Sequence, residues 1–196
     1  MAKIVILEGA RGAGKTTLAQ KLRSKIFGTT LINPTGFPED GDKGKYKIVN
    51  YYQNLILYLD SLSNEYSIIL DRSFISEMVY SKIYKEYDFR PYYNAFCDQL
   101  FFSNKHDITL FYMMISPEQV GGRLSRDKAK LFNSVKDKEV EVMKQQGEYE
   151  AEIANLASML QSRHIPRAKM EIYAIHPLIK DAKAFAMRTL EARGYY

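Results

Sequence analysis

The sequence contains almost no cysteine and no long apolar run. Cys97 is the single cysteine among 196 residues, and a lone cysteine cannot close a disulfide within the chain. Such usage is typical of a reducing compartment, so we expect Cys97 to pack in the core of a cytoplasmic protein. The apolar run at residues 4–7 is too short for a secretory signal or a membrane-spanning helix, and we expect no association with membranes.

The chain also lacks internal repeats, low-complexity segments and long linkers. Its 6 prolines and 11 glycines are scattered, and its 46% apolar content is enough for one substantial core. We therefore predict a single domain over residues 1–196. The 28 basic and 23 acidic residues give a net charge of +5, which suits a phosphorylated ligand. The charge is not clustered as in a dedicated nucleic-acid binder, so we expect no stable binding of nucleic acid.

Apolar runs alternate with helical patterns along the chain. Strands are predicted at residues 4–7, 30–32, 67–71, 108–115 and 170–175. Helices are predicted from Leu18 to a stop at Gly28 and over 46–60, 74–87, 90–103, 149–160 and 177–193. A further helix is predicted to start at Pro117, with a capping box between Ser116 and Gln119. Residues 33–47 are predicted to form a loop. This alternation predicts a three-layer α/β fold with a largely parallel sheet.

A glycine-rich motif stands between the first predicted strand and the first predicted helix. Residues 9–16, GARGAGKT, satisfy the G-x-x-x-x-G-K-[ST] pattern of a phosphate-binding P-loop at every fixed position. Backbone N–H groups of such a loop can surround phosphates, and the helix N-terminus adds partial positive charge. Lys15 would reach the β- and γ-phosphate oxygens, and the Thr16 hydroxyl would ligate Mg²⁺. The predicted ATP-binding residues are Gly9, Ala10, Arg11, Gly12, Ala13, Gly14, Lys15, Thr16 and Thr17.

Charged side chains after two later strands are candidates for the rest of the site. Asp71 ends a predicted strand, where its carboxylate can serve Mg²⁺ or face an acceptor. Arg72 beside it is suited to bidentate binding of an anion. Arg123 and Arg126 lie one helical turn apart, in a predicted lid at 121–138 that could close over the transferring phosphoryl group. The predicted catalytic residues are Lys15, Arg72, Arg123 and Arg126, and the predicted metal ligands are Thr16 and Asp71.

Three patches of the sequence resemble the thymidylate kinase and deoxynucleoside kinase superfamily. They are residues 7–17 with their Glu-Gly opening, residues 71–77 with an Asp-Arg-Ser signature, and residues 107–123 with a Ser-Pro-Glu turn followed by an arginine. The resemblance implies a P-loop kinase fold with five parallel strands in the order 2-3-1-4-5, an Mg·ATP donor and, in many members, a homodimer. It also implies that Arg72 holds the acceptor end of the substrate.

The class of acceptor is inferred from charge. A monophosphate is already anionic and needs cations for alignment, whereas a nucleoside hydroxyl benefits from a nearby carboxylate. The sequence favours a deoxynucleoside monophosphate resembling dTMP, because four arginines belong to the predicted site: Arg11, Arg72, Arg123 and Arg126. The candidates for binding this acceptor are Arg72, Tyr52, Gln53 and Glu77.

Three other functions stay open at this point. A deoxynucleoside kinase would use a carboxylate near the acceptor hydroxyl, and the candidates are Asp71, Glu39, Asp40 and Asp42. A kinase acting on a polynucleotide 5′-hydroxyl, or on a modified base in DNA, would use the same donor but would need a long basic groove. A non-catalytic nucleotide-binding module would retain the P-loop without transferring a phosphoryl group.

Overall fold

The computed structural model describes residues 1–34, 39–63, 65–124 and 135–195. It contains a sheet of five strands that all pair in parallel, in the order β2-β3-β1-β4-β5. The predicted architecture and strand order are therefore confirmed. The strands are β1 (Lys3–Glu8), β2 (Thr29–Ile32), β3 (Ser67–Asp71), β4 (Asp107–Met113) and β5 (Met170–Ile175).

Helices flank this sheet. They are α1 (Lys15–Arg23), α2 (Gly41–Asp60), α3 (Phe74–Tyr84), α4 (Arg90–Phe96), α5 (Pro117–Leu124), α6 (Val135–Ser162) and α7 (Ala182–Ala192), and a π-helical segment (Cys97–Phe101) continues α4. Among the described residues, no helix combines the length and the apolar character needed to cross a membrane.

Helix α2 begins earlier than the sequence pattern predicted. Residues 33–47 were predicted to be a loop because they contain several glycines and prolines, but the helix already starts at Gly41. The Asp40 side chain accepts a hydrogen bond from the Gly41 N–H at this end, so a helix cap outweighs the glycine content. Position 44 inside this helix requires glycine, because a Cβ atom there would come within 2.2 Å of the Glu39 carbonyl oxygen.

Other helix ends also differ from their predicted positions. Helix α1 ends at Arg23, before Gly28, and α3 ends at Tyr84. The predicted helix at 90–103 is divided into α4 and the π-helical segment. Helix α7 starts at Ala182, where the Asp181 carboxylate accepts from the Ala184 N–H. At α7 this cap, which periodicity does not record, sets the helix start.

The start of α5 at Pro117 is as predicted, but the capping box is not formed. The Gln119 N–H donates to the Ser116 carbonyl at 3.0 Å. The Gln119 Oε1 atom is buried and has no hydrogen-bond partner among the described residues. The box requires that oxygen to accept from the Ser116 N–H, so the glutamine half of the box is missing.

An aromatic cluster supports the turn after β3. The Tyr52 ring packs edge-on to Phe74 with ring centroids 6.0 Å apart, and Phe74 lies 5.6 Å from Phe96. The Tyr52 hydroxyl donates to the Ser73 carbonyl at 3.0 Å. Cys97 is fully buried beside this cluster, as predicted. Burial of one such ring contributes roughly 2–3 kcal/mol to the free energy of folding. The cluster therefore stabilises the turn that carries Arg72.

The strand register brings the carboxyl ends of three strands to one edge of the sheet. Leu7 of β1 pairs with Asp71 of β3, and Glu8 pairs with Tyr112 of β4. In open parallel sheets, ligands bind in the crevice outside these carboxyl ends. The chain segments that leave β1, β3 and β4 at this edge form the candidate site.

Candidate phosphate-binding site

The loop after β1 has a backbone that requires glycine at several positions. Gly9, Gly12 and Gly14 have φ angles of 140°, 78° and 94°, which side chains rarely adopt. At Gly9 a Cβ atom would also lie 2.2 Å from the Met113 carbonyl oxygen of β4. The loop therefore lies against the sheet edge and enters α1 at Lys15 with its backbone close to the ligand position.

Lys15 is buried at the centre of this loop. Its Nζ atom donates to the carbonyl oxygens of Gly9 at 2.6 Å and Ala10 at 2.7 Å. Burial lowers the pKa of Lys15 well below its usual value, and the nearby Arg72 charge lowers it further. A phosphate bound by the loop would bring negative charge to this ammonium group and stabilise its protonated form.

Thr16 and Asp71 connect the loop to the end of β3. The Thr16 hydroxyl donates to Asp71 Oδ2 at 2.5 Å. The other carboxylate oxygen of Asp71 is buried and has no hydrogen-bond partner within the described residues. A hydroxyl and a carboxylate are hard oxygen ligands of the kind that Mg²⁺ accepts, and Mg²⁺ at phosphate sites commonly takes one or two protein oxygens. These two side chains therefore fit a magnesium site.

Arg72 follows Asp71 in a backbone conformation that is rare for its type. Its φ angle is 91°, and its N–H donates to the Leu7 carbonyl at 3.1 Å. The guanidinium lies over the Tyr80 ring, 5.4 Å from its centroid. Burial alone would lower the pKa of Arg72, but Tyr149, Tyr80 and Glu8 raise it above its usual value. The residue is therefore a fixed cation at the wall of the cleft.

A buried polar network lies behind Arg72. Glu8 is fully buried and accepts from the Ser73 N–H at 2.6 Å, the Ser73 hydroxyl at 2.7 Å and the Ser76 hydroxyl at 2.6 Å. Ser76 Oγ and the Tyr149 hydroxyl are 2.6 Å apart. Arg72 Nη1 lies 3.4 Å from that hydroxyl. Burial raises the pKa of Glu8, while the serine hydrogen bonds and Arg72 lower it.

The predicted lid is described only in part. Arg123 lies near the end of α5 and donates from Nη1 to the Gly12 carbonyl of the P-loop at 3.2 Å. This contact brings one predicted lid arginine to the phosphate-binding loop. Arg126, most of the predicted lid and the basic residues Lys128 and Lys130 lie outside the described residues.

These elements enclose an open cleft of about 890 Å³ that runs along the P-loop. Arg72 and Met113 line it at the strand ends, Tyr80 lines it from α3, and residues 180–183 line it at the start of α7. Seven basic side chains of the described chain border the cleft against one carboxylate, Asp181; they are Arg11, Lys15, Lys21, Arg72, Arg123, Lys180 and Lys183. This charge favours a ligand with several phosphates.

Three predicted acceptor-binding residues do not line this cleft in the described part of the chain. Tyr52 is 3% exposed, and its ring belongs to the aromatic cluster. Gln53 is half-buried on α2, where its amide donates to Gln99 of the π-helical segment at 3.2 Å. Glu77 is buried and accepts from the Tyr87 hydroxyl at 2.5 Å. The sequence placed them on the right helices but could not show the direction of their side chains.

Several residues of the site were not predicted from the sequence. Tyr149 fitted an apolar helical stripe, and its hydroxyl gave no signal of a polar role. Tyr80 follows Ser76 by one helical turn, a spacing that places both on one face of α3. Gln145 of α6 accepts from the Arg11 N–H at 3.1 Å and joins the long helix to the P-loop. The spacing of Ser76 and Tyr80 was the one local signal that could have identified any of them.

Comparisons with known proteins show the fold. No family model matches the sequence, and no curated protein matches it significantly. The YorR protein of Bacillus subtilis, solved in complex with phosphorylated GDP, is similar with a TM-score of 0.66 and 16% identity over 99% of each chain. Thymidylate kinase from Candida albicans has a TM-score of 0.56 and 17% identity over 99% of this chain and 93% of that one. Deoxyadenosine kinase from M. mycoides has a TM-score of 0.56 and 15% identity over 96% of this chain and 99% of that one. The chain therefore has the P-loop kinase fold.

Proposed function

We propose that this protein is a kinase that transfers the γ-phosphoryl group of Mg·ATP to a deoxynucleoside monophosphate. The observation that carries the proposal is the position of Arg72, a half-buried cation on the wall of the cleft that also holds the P-loop. A cation so placed can align an anionic acceptor with the terminal phosphate of the donor.

The donor half of the site would work through fixed positive charge. The backbone N–H groups of the loop and the Lys15 ammonium would bind the phosphates. Arg123, which contacts the Gly12 carbonyl, would add a further positive charge next to them. The Thr16 hydroxyl and the Asp71 carboxylate would hold Mg²⁺, which neutralises phosphate charge when it is bound. Such groups stabilise the charge that spreads over the transferring phosphoryl oxygens.

The acceptor half favours a substrate that already carries a phosphate. Glu8 accepts three hydrogen bonds within the protein, so its carboxylate is already engaged. Asp181, the one carboxylate bordering the cleft in the described chain, caps α7 through the Ala184 N–H. The basic excess around the cleft stabilises an anionic acceptor, which needs no strong general base.

A deoxynucleoside acceptor is the second candidate, and one observation favours it. The Asp71 Oδ1 atom is buried without a hydrogen-bond partner among the described residues. A carboxylate oxygen in that state could accept the proton of an attacking hydroxyl instead of supporting a metal ion. The two candidates assign this oxygen different roles and predict different products.

A substrate panel tests the proposal. The purified protein is incubated with Mg·ATP and one acceptor at a time: deoxynucleosides, deoxynucleoside monophosphates, and oligonucleotides with a 5′-hydroxyl or a modified base. Product mass then identifies what gained a phosphoryl group. We expect diphosphates from monophosphates, with no transfer by the Lys15→Ala variant. Products formed from nucleosides alone, or from oligonucleotides alone, would refute the monophosphate assignment, and ATP binding with no product from any acceptor would favour a non-catalytic module.

A further inference from the structure

We propose that Glu8, Ser76 and Tyr149 form a hydrogen-bond chain of fixed direction that positions the Arg72 guanidinium for the acceptor. This inference deepens the proposed function and depends on the acceptor role of Arg72. The chain joins three separate elements: the end of β1, the first turn of α3 and the middle of α6. Glu8, Ser76 and Tyr149 are positioning residues, because they act on the substrate only through Arg72.

The first step is the carboxylate of Glu8. As an ionised group it can only accept hydrogen bonds, and its three partners are the Ser73 N–H, the Ser73 hydroxyl and the Ser76 hydroxyl. Both serine protons therefore point at Glu8. The Ser73 oxygen then accepts from the Ile75 N–H at 3.2 Å, which is the N-cap bond of α3. Every donor around Glu8 is thus assigned without conflict.

The second step fixes the direction at Tyr149. Ser76 has one proton, which is directed to Glu8, so its contact of 2.6 Å with the Tyr149 hydroxyl must use the Tyr149 proton. The Tyr149 oxygen then presents a lone pair to Arg72 Nη1, 3.4 Å away. Negative charge buried at Glu8 is in this way connected to the guanidinium through two oriented hydroxyls.

The guanidinium itself selects this direction. If Glu8 were protonated and donated to Ser76, the Ser76 proton would turn to Tyr149, and the Tyr149 proton would point at Arg72. A guanidinium has five N–H donors and no acceptor, so that arrangement places a donor against a donor. The guanidinium therefore stabilises the ionised form of Glu8 and the chain that leads to it.

Arg72 needs such support because its backbone is strained. A non-glycine residue with a φ angle of 91° persists only where its surroundings determine the conformation. Glu8 holds the next residue through the Ser73 N–H, and Tyr149 holds the side chain through Nη1. The guanidinium also lies over the Tyr80 ring. The strained turn and its side chain are thus fixed by one network.

Three substitutions test the chain, with one matched control. Tyr149→Phe removes the nearer of two hydroxyl oxygens that accept from Arg72 Nη1, the other being Ser76 Oγ at 3.5 Å, and keeps the ring in the core. Glu8→Gln keeps the shape of the side chain, but its amide can donate to Ser76 and reverse the chain. Ser76→Ala interrupts the chain between them. The control is Tyr173→Phe, whose hydroxyl donates to Glu171 on β5, away from the cleft.

We expect kcat/KM for the acceptor to fall about tenfold in Tyr149→Phe, since one hydrogen bond to a charged group is lost. The KM for ATP should stay at the parent value, and Tyr173→Phe should behave as the parent. Combining Tyr149→Phe with Arg72→Ala should cost no more than Arg72→Ala alone, since both act through the same guanidinium. If Arg72→Ala impairs acceptor use while Tyr149→Phe and Glu8→Gln do not, the positioning chain is wrong and the proposed function stands.

A measurement that does not depend on turnover tests the positioning chain separately from the proposed kinase function. The ¹⁵N resonance of the Arg72 guanidinium is identified by its loss in Arg72→Ala and followed in the folded variants. We expect it to shift in Tyr149→Phe and in Glu8→Gln and to stay in place in Tyr173→Phe, whichever acceptor the protein uses. An unmoved resonance in both variants overturns the chain, even if Ser76→Ala fails to fold.

Discussion

The Thr16 hydroxyl donates a hydrogen bond of 2.5 Å to the carboxylate of Asp71, and this single contact joins the start of α1 to the end of β3. The same pair provides the oxygen ligands expected for Mg²⁺. A Mg²⁺ ion held by this pair would therefore have a fixed position relative to Arg72, the residue that follows β3.

Asp71→Asn should weaken the use of Mg²⁺. The amide keeps the size of the side chain but removes the negative charge that a divalent cation needs, so we expect half-maximal turnover at about tenfold higher Mg²⁺. A Mg²⁺ titration of turnover at saturating ATP measures this effect. Asp98→Asn on the surface is the control, and an identical titration curve for Asp71→Asn would remove this residue from the metal site.

Lys15→Ala should abolish most of the turnover. The ammonium lies at the centre of the loop, where it can stabilise charge that develops on the transferring group, and its loss should lower kcat about 10³-fold. Steady-state kinetics of the purified variant give the number. Lys25→Ala, at an exposed position after α1, should match the parent. Near-normal turnover in Lys15→Ala would contradict the catalytic role.

Arg123→Ala should lower kcat more than the affinity for ATP. Its side chain contacts the P-loop through the Gly12 carbonyl, and a group that acts mainly on the transition state leaves ground-state binding nearly unchanged. We expect kcat to fall about 10²-fold, with the Kd for ATP within about twofold of the parent. Exposed Arg23 supplies the control substitution. An equal loss in Kd and kcat would instead assign Arg123 to simple nucleotide binding.

Glu77→Gln should change how stability depends on pH. Burial raises the pKa of Glu77, although the Tyr87 hydrogen bond and Lys85 lower it in part. In the window above the unfolded value of about 4.3, the native state therefore binds more protons than the unfolded state. The free energy of unfolding of the parent must then fall as pH rises through that window.

The variant lacks this titration, so the parent should lose stability relative to Glu77→Gln as pH rises from about 4 to 7. Urea unfolding of both proteins across this range measures the difference. A difference that stays constant, or one in which the parent gains stability with pH, contradicts the assignment of the shift to Glu77.

The P-loop could be predicted from the sequence because its requirements are local. Eight consecutive residues set the backbone conformation, the positive charge and the hydroxyl ligand, and the flanking strand and helix follow from short-range patterns. The order of the five strands came from the family resemblance, since the alternation of strands and helices fixes a parallel sheet without its order.

The support of Arg72 could not be predicted in this way. Ser76 and Tyr149 are 73 positions apart, and no periodicity shows that a helix predicted as amphipathic places one hydroxyl against the Ser76 hydroxyl. Tyr52 shows a second limit of the sequence: its aromatic ring suggested stacking on a base, but the ring is buried in the aromatic cluster. Side-chain direction depends on packing between elements, and a linear pattern does not contain that information.

The most direct measurement concerns Arg72→Ala and compares the two substrates of the same reaction. With a deoxynucleoside monophosphate as the varied substrate, we expect kcat/KM to fall at least about 10²-fold, because a charged contact to the acceptor phosphate would be lost. With ATP as the varied substrate, KM should remain near the parent value, and exposed Arg188→Ala should behave as the parent in both. Acceptor kinetics of Arg72→Ala that match the parent would contradict the central claim that this guanidinium holds the group receiving the phosphoryl.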